Sequence, residues 1–133
     1  MPGSAADALS TIPLFRDLSG RQLRKLQRSA AGDHYEPDAT IVQQGGRTTT
    51  LFVVLEGSVK IVKNGETISH RGPGEYFGEI SLIDGRPRAA SVISETAVRC
   101  LALSQDSLRK LVMSEPAVSW ALLESLAKRL RGE

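Results

Sequence analysis

One cysteine, Cys100, stands alone in 133 residues, so no disulfide can brace the chain internally and a reducing compartment suits it. It lies in the apolar run AVRCLAL, which predicts a buried thiol and not a reactive one. Charge of one sign is also scarce. Seventeen Lys and Arg stand against fifteen Asp and Glu, a net charge of +2 that forces neither a nucleic-acid nor a membrane role. No apolar run approaches a membrane span. The opening MPGSAADALS has neither the basic start nor the apolar stretch of a signal peptide. A soluble, cytoplasmic protein is the expectation. Catalytic signatures are missing too: no Gly-Lys-Ser/Thr phosphate loop, no G-x-S-x-G, no His/Asp cluster for a metal. His34 and His70 stand alone and are expected on the surface or in turns. An enzyme acting on nucleotides is therefore disfavoured.

What is present suits one domain, residues 1–133, with a core of its own. Residues 1–31 read as a helical segment. Ser19 followed by Gln22 is a capping-box pattern, and Leu18 with Leu23 falls at the positions of a hydrophobic staple,. Leu23 and Leu26 are expected to face the core, and Gly32 to end the helix in a left-handed turn. Arg21, Arg24, Lys25 and Arg28 form a stripe at helical spacing, which we read as a solvated face.

From 32 to 103 the texture changes to short β-rich runs separated by glycines and turn residues: ATIVQQGG, TTTLFVVLEGS, VKIVKNGE, TISHRGPG, AASVISE and AVRCLALS. Asn64–Gly65 signals a two-residue hairpin. Gly57–Ser58 is assigned the same purpose one strand earlier. Many short strands at this spacing predict an antiparallel β-roll, a jelly-roll-like barrel of about eight strands. Residues 104–133 then return to helix. Ser104 is the expected N-cap, with Leu108, Leu111 and Val112 as an apolar face. Pro116 breaks and restarts the chain, and Val118, Leu122, Leu126 and Leu130 recur at steps of four. Trp120, the only tryptophan, is expected in the core. The fold class is α+β: one N-terminal helix, the roll, two C-terminal helices.

The stretch FGEISLIDGRPRAAS, residues 77–91, puts a lone acid and a lone base into a loop of small and apolar residues. Gly72, Gly74 and Gly78 let backbone approach a ligand and expose N–H groups. EISLI is long enough for one helical turn, whose first N–H groups attract an anion. Arg88 can add a charge-assisted bond to a phosphate, and the small Ala89 and Ala90 leave their N–H groups accessible. Glu79 repels phosphate but accepts hydrogen bonds from sugar hydroxyls. Two readings stand: a pocket for a ligand with a diol at one end and an anion at the other, or a surface ion pair between Glu79 and Arg88.

FGEISLIDGRPRAASV closely resembles the phosphate-binding cassette of cyclic-nucleotide-binding domains. The upstream IVQQGGRTTTLFVVLEGSV looks like that family's second signature, although Gly46 and Thr48 depart from the acidic and small residues usual there. The order helix, roll, helix, helix is similar as well, so the resemblance covers roughly Leu9 to Leu130. It implies that Glu79 and the Gly78 backbone hold a ribose 2′-hydroxyl, that Arg88 neutralises a cyclic phosphate, and that N–H groups around Ile80, Ser81 and Ala89 complete the cradle. Ala89 stands where cGMP-preferring members often have Thr, which favours cAMP over cGMP as the ligand. Val59, Ile61 and Val92 are candidates for a base pocket, or simply for core packing. No metal is implied.

In such domains the last helix closes over the purine, which makes Leu126, Arg129, Leu130 and Arg131 lid candidates. No helix-turn-helix segment follows in this sequence, so direct nucleic-acid binding is not expected. The output is assigned to a partner protein or to a homodimer through the last helix. The alternative is a degenerate roll that serves as an interaction or dimerisation unit without nucleotide.

Overall fold

A computed structural model describes Leu9, Ser10 and residues 12–132. It resolves into two compact units: residues up to Ser29 together with those from Asp106 onward, and Ala30–Gln105 between them.

In the helical unit, a short 3-10 turn at Pro13–Phe15 buries Leu14 and Phe15. Helix α1, Gly20–Ser29, follows. Its start is the expected capping box. The Ser19 N–H donates to Gln22 Oε1 at 2.8 Å, and the Gln22 N–H donates to Ser19 Oγ at 3.2 Å,. Leu18, Leu23 and Leu26 are buried, whereas Arg21, Arg24, Lys25 and Arg28 are all exposed, the solvated stripe the spacing predicts. Gly32 corrects one expectation. The helix stops at Ser29, and Gly32 lies inside the first strand without the positive φ of a helix-ending glycine.

The β unit contains strands β1 Ala30–Tyr35, β2 Thr40–Val42, β3 Leu51–Glu56, β4 Val59–Lys63, β5 Glu66–Arg71 and β6 Tyr76–Phe77, then helix α2 at Glu79–Asp84, then β7 Ser91–Ser94 and β8 Val98–Leu103. Pairing runs β1 with β8, β2 with β7, β3 with β6 and β4 with β5, all antiparallel. This is the pattern of one long hairpin folded over on itself. Asn64 and Gly65, both with positive φ (52° and 79°), make its tip as a two-residue turn. The pairs β3 with β8 and β4 with β7 complete two four-stranded sheets, ordered β1-β8-β3-β6 and β2-β7-β4-β5. Their shared core is Val42, Val59 and Val92 from one sheet against Phe52, Val54, Phe77, Val98 and Cys100 from the other. The register partners Phe52 and Phe77 stack at 5.1 Å.

Gly57–Ser58 does not form the expected hairpin turn, because β3 and β4 belong to different sheets. The pair instead carries the chain across the roll. Gly57 sits at φ +85°, and a Cβ there would lie 2.1 Å from the Ala97 carbonyl oxygen. The neighbouring Ser58 is tied to the β7–β8 turn: its N–H donates to Thr96 Oγ1 at 3.1 Å, and its carbonyl accepts from the Glu95 N–H at 2.9 Å.

The chain re-enters the helical unit through α3, Gln105–Ser114, and α4, Pro116–Leu130. Glu115 is extended (φ −123°, ψ 95°) immediately before Pro116, the break that proline imposes on its predecessor. The side-chain amide of Gln22 also hydrogen-bonds Glu115, which joins the start of α1 to this break. Leu108, Val118 and Leu122 are buried and Leu111, Val112 and Leu126 half-buried, but Leu130 is 90% exposed, so the apolar row at steps of four is buried only over its first half. Trp120 is 66% exposed, which overturns its expected place in the core.

Candidate functional site

The candidate cassette begins where β6 ends. Gly78 takes φ +95° and ψ 4°, and a Cβ on it would fall 2.6 Å from the Thr50 carbonyl oxygen and 2.9 Å from Arg88 Nη1. Only glycine meets both demands. The turn aims the first residue of α2 inward: Glu79 is 2% exposed, although Ile80 beside it is 51% exposed. Ser81 is buried, and its carbonyl accepts the N–H of Gly85, a left-handed residue (φ 68°) that closes the helix after a turn and a half. The Arg86 N–H donates to Asp84 Oδ1 at 2.9 Å. Gln105 Nε2 caps the Leu82 carbonyl at 2.8 Å.

Arg88 is only 4% exposed. Burying a guanidinium is costly unless its donors are met, and three oxygens meet them. Nε donates to Thr48 Oγ1 at 3.2 Å, Nη1 to the Gly78 carbonyl at 3.0 Å and Nη2 to the Thr50 carbonyl at 2.7 Å. All three acceptors are neutral, and burial pulls the guanidinium below its ordinary pKa,. A guanidinium has five N–H donors, so these bonds leave one N–H on each terminal nitrogen. These two donors are what the side chain can still offer an anion. The Arg88 backbone is fixed just as firmly. Its N–H donates to the Gly46 carbonyl at 2.7 Å, and its carbonyl accepts the Gly45 N–H at 2.8 Å. Gln44 extends the same seam: its N–H donates to Ser91 Oγ at 2.8 Å.

Gly78, Glu79, Ser81 and Arg88 are thus gathered by one turn, with Ile80 and Ala89 at its exposed margin. Because Glu79 and Arg88 are both buried, the surface ion pair loses its setting. Val59 and Val92 lie in the shared core, and Ile61 packs against it; Ile61 and Val92 are register partners. Among the lid candidates on and after α4, Leu126 and Arg129 are half-buried, while Leu130 and Arg131 are exposed. Cys100 is fully buried and its thiol is pushed up to about 12 by that burial and by Asp33, so it is inert as expected. His34 and His70 are exposed, and His70 Nδ1 meets Glu95 Oε1 at 2.9 Å. Among the described residues no group of three or more His, Cys, Asp or Glu is placed to hold a metal, and no helix is long and apolar enough to cross a membrane.

The β2–β3 loop is what reading the sequence missed. Gly46, Thr48 and Thr50 supply the acceptors that hold Arg88, and two of those acceptors are backbone carbonyls, which leave no mark in side-chain identity.

A glycine-shaped turn with a buried carboxylate at Glu79, and a buried guanidinium at Arg88 bonded to that turn's Gly78 carbonyl, make a candidate small-molecule site. The comparisons with known proteins agree in kind. Residues 33–115, more than half of the chain, match the model of the cyclic nucleotide-binding domain, and the chain belongs to that family. It is 27% identical over 130 residues, 94% of its length, to the CRP-like cAMP-activated global transcriptional regulator of Mycobacterium tuberculosis. Over 115 residues, 80% of its length, it is 31% identical to a cGMP-dependent protein kinase of Drosophila melanogaster. The solved structure of the Thermus thermophilus catabolite activator protein is 31% identical and superposes with a TM-score of 0.79 over 90% of this chain. The chain spans 58% of the mycobacterial regulator, 12% of the kinase and 59% of the catabolite activator protein.

Proposed function

We propose that the chain is a non-catalytic, cytoplasmic sensor that binds cAMP in preference to cGMP and passes ligand occupancy on through its last helix. The observation that carries the reading is the setting of Arg88: 4% exposed, held by three neutral oxygens, with two N–H donors left for a cyclic phosphate. Glu79 and the Gly78 backbone take the ribose 2′-hydroxyl. The N–H groups of Ile80, Ser81 and Ala89 complete the phosphate cradle. Val59, Ile61 and Val92 border the base, and Leu126, Arg129, Leu130 or Arg131 covers it. Ala89 in place of a threonine supports adenine over guanine, while the kinase relative, named for its dependence on cGMP, marks the competing choice. Output falls to a partner protein or a second copy, and the activation by cAMP in the mycobacterial relative's description supports a regulatory role. The relay is a population shift, limited by the ligand's differential affinity for two arrangements of α4.

Thermal melting with cAMP, cGMP and AMP tests the binding. The preferred ligand, at about a hundred times its Kd, should add about 2.7 kcal/mol of stability. Arg88→Ala should weaken that ligand by at least about tenfold, because the phosphate loses its cationic partner. Equal affinity for parent and variant would refute the site. Amide exchange over residues 104–130 tests the relay, and protection unchanged by ligand would leave binding without a switch.

A further inference from the structure

We infer that Thr48 is a positioning residue for the anion site: its hydroxyl sets the orientation in which Arg88 presents its remaining N–H groups. The inference rests on the reading of the cassette as a cyclic-nucleotide site. A guanidinium is planar, with its donors in a fixed fork. Bonds from all three nitrogens, Nε, Nη1 and Nη2, to three separate oxygens restrain the plane and the rotation within it. Two of the acceptors, the carbonyls of Gly78 and Thr50, hold the terminal nitrogens. Thr48 Oγ1 alone holds Nε, at 3.2 Å. It is also the only one of the three supplied by a side chain, so the sequence can adjust the fork only there.

The rest of the loop is already pinned to Arg88 by backbone. The Gly45 N–H donates to the Arg88 carbonyl at 2.8 Å, and the Gly46 carbonyl accepts the Arg88 N–H at 2.7 Å. The loop therefore keeps its course when residue 48 changes, and Thr48 is itself exposed, so little packing is lost with its hydroxyl. A threonine here also differs from a carboxylate in charge. It orients the guanidinium without drawing on its positive charge, which stays whole for the anion.

Calorimetric titration of parent, Thr48→Val and Thr48→Ser with cAMP and with cGMP tests this. Whichever nucleotide the parent binds serves as the probe. Thr48→Val keeps the shape and removes the acceptor, and should weaken binding roughly tenfold. Its ligand-free melting temperature should fall as well, because the Nε–H of the buried Arg88 loses its acceptor,, and Thr48→Ser should bring it back towards the parent's. Thr48→Ser restores the acceptor and should bring affinity back to within about twofold of the parent. If Thr48→Val binds as the parent does, or if Thr48→Ser is as weak as Thr48→Val, the positioning role is wrong although the site stands. A parent that binds neither nucleotide overturns the cyclic-nucleotide reading, and this inference with it.

Discussion

A Cβ on Gly57 would lie 2.1 Å from the Ala97 carbonyl oxygen and one on Gly78 2.6 Å from that of Thr50, whereas the buried positions described in the helical unit hold leucine, isoleucine, valine or phenylalanine, which neighbouring apolar side chains can replace. Among the described residues, the four buried polar or charged ones, Glu79, Ser81, Arg88 and Ser94, all belong to the β unit. There polar atoms are held by specific partners: the Ser94 hydroxyl accepts the Ala39 N–H and donates to the Glu36 carbonyl. The helical unit spreads its stability over many similar contacts. The difference teaches where each kind of constraint belongs. Recognition of a polar ligand needs fixed donors and acceptors, and these concentrate in the unit whose positions admit the fewest residues.

If that contrast holds, the largest single-atom penalty lies at Gly57. Gly57→Ala forces a side chain into positive φ and against a backbone oxygen that no rotamer can move. Left-handed strain costs roughly 1–3 kcal/mol and overpacking a similar amount, so a loss of about 3 kcal/mol or more is expected in urea denaturation. A variant within about 0.5 kcal/mol of the parent would show that the crossing is soft and erase the contrast.

How much could be read in advance follows the same division. The Asn64–Gly65 turn, the Ser19–Gln22 box and the Pro116 break were legible because each is a local geometry written in adjacent residues,. The cassette was legible through its resemblance to a family; residue chemistry alone left a ligand pocket and an ion pair both standing. Gly57–Ser58 looked like a hairpin because a turn signal does not say whether the strands it joins will pair; that depends on β8 and β6 taking the places beside β3. Gly32 lost its helix-ending role because β1 begins directly after Ser29 to pair with β8. Leu130 was misjudged because a period of four marks an apolar face without saying how far along it cover extends, and Trp120 because it lies off that face, two residues past the buried Val118. The carbonyls of Gly46 and Thr50, as partners of Arg88, were beyond any reading of side chains.

A smaller effect should appear with alkali, and it separates the units by chemistry instead of by sterics. Cys100 is pushed up to about 12 from 9.0 by burial and then by Asp33, and Tyr35 to about 12 from 10.0 by burial and then by Asp33 and Cys100. Both groups hold their protons more tightly in the folded state. Their contribution is therefore fully present below the unfolded values, near 9 and 10, and drains away as pH rises towards 12. By pH 10 the Cys100 share of the loss is on the order of 1 kcal/mol. Urea midpoints between pH 7 and 10 should fall for the parent and fall less for Cys100→Ala. Identical slopes would mean that the thiol is not shielded in the folded β unit.

The smallest effect is set in the helical unit, at Ser19. Its hydroxyl accepts the Gln22 N–H at 3.2 Å, a long bond on an exposed turn, while Gln22 Oε1 accepts the Ser19 N–H at 2.8 Å. Ser19→Ala removes only the first of these, because a backbone N–H at position 19 survives the change. Loss of an N-cap costs typically about 1 kcal/mol, and the long, solvated geometry places this one at or below that value. Gln22 also reaches Glu115, so the box is one tie among several at the junction of α1 with the Glu115–Pro116 break. A loss above about 2 kcal/mol in urea denaturation would mean that this turn, too, is a position with a single solution, and that the two units do not differ in the way their surfaces and cores suggest.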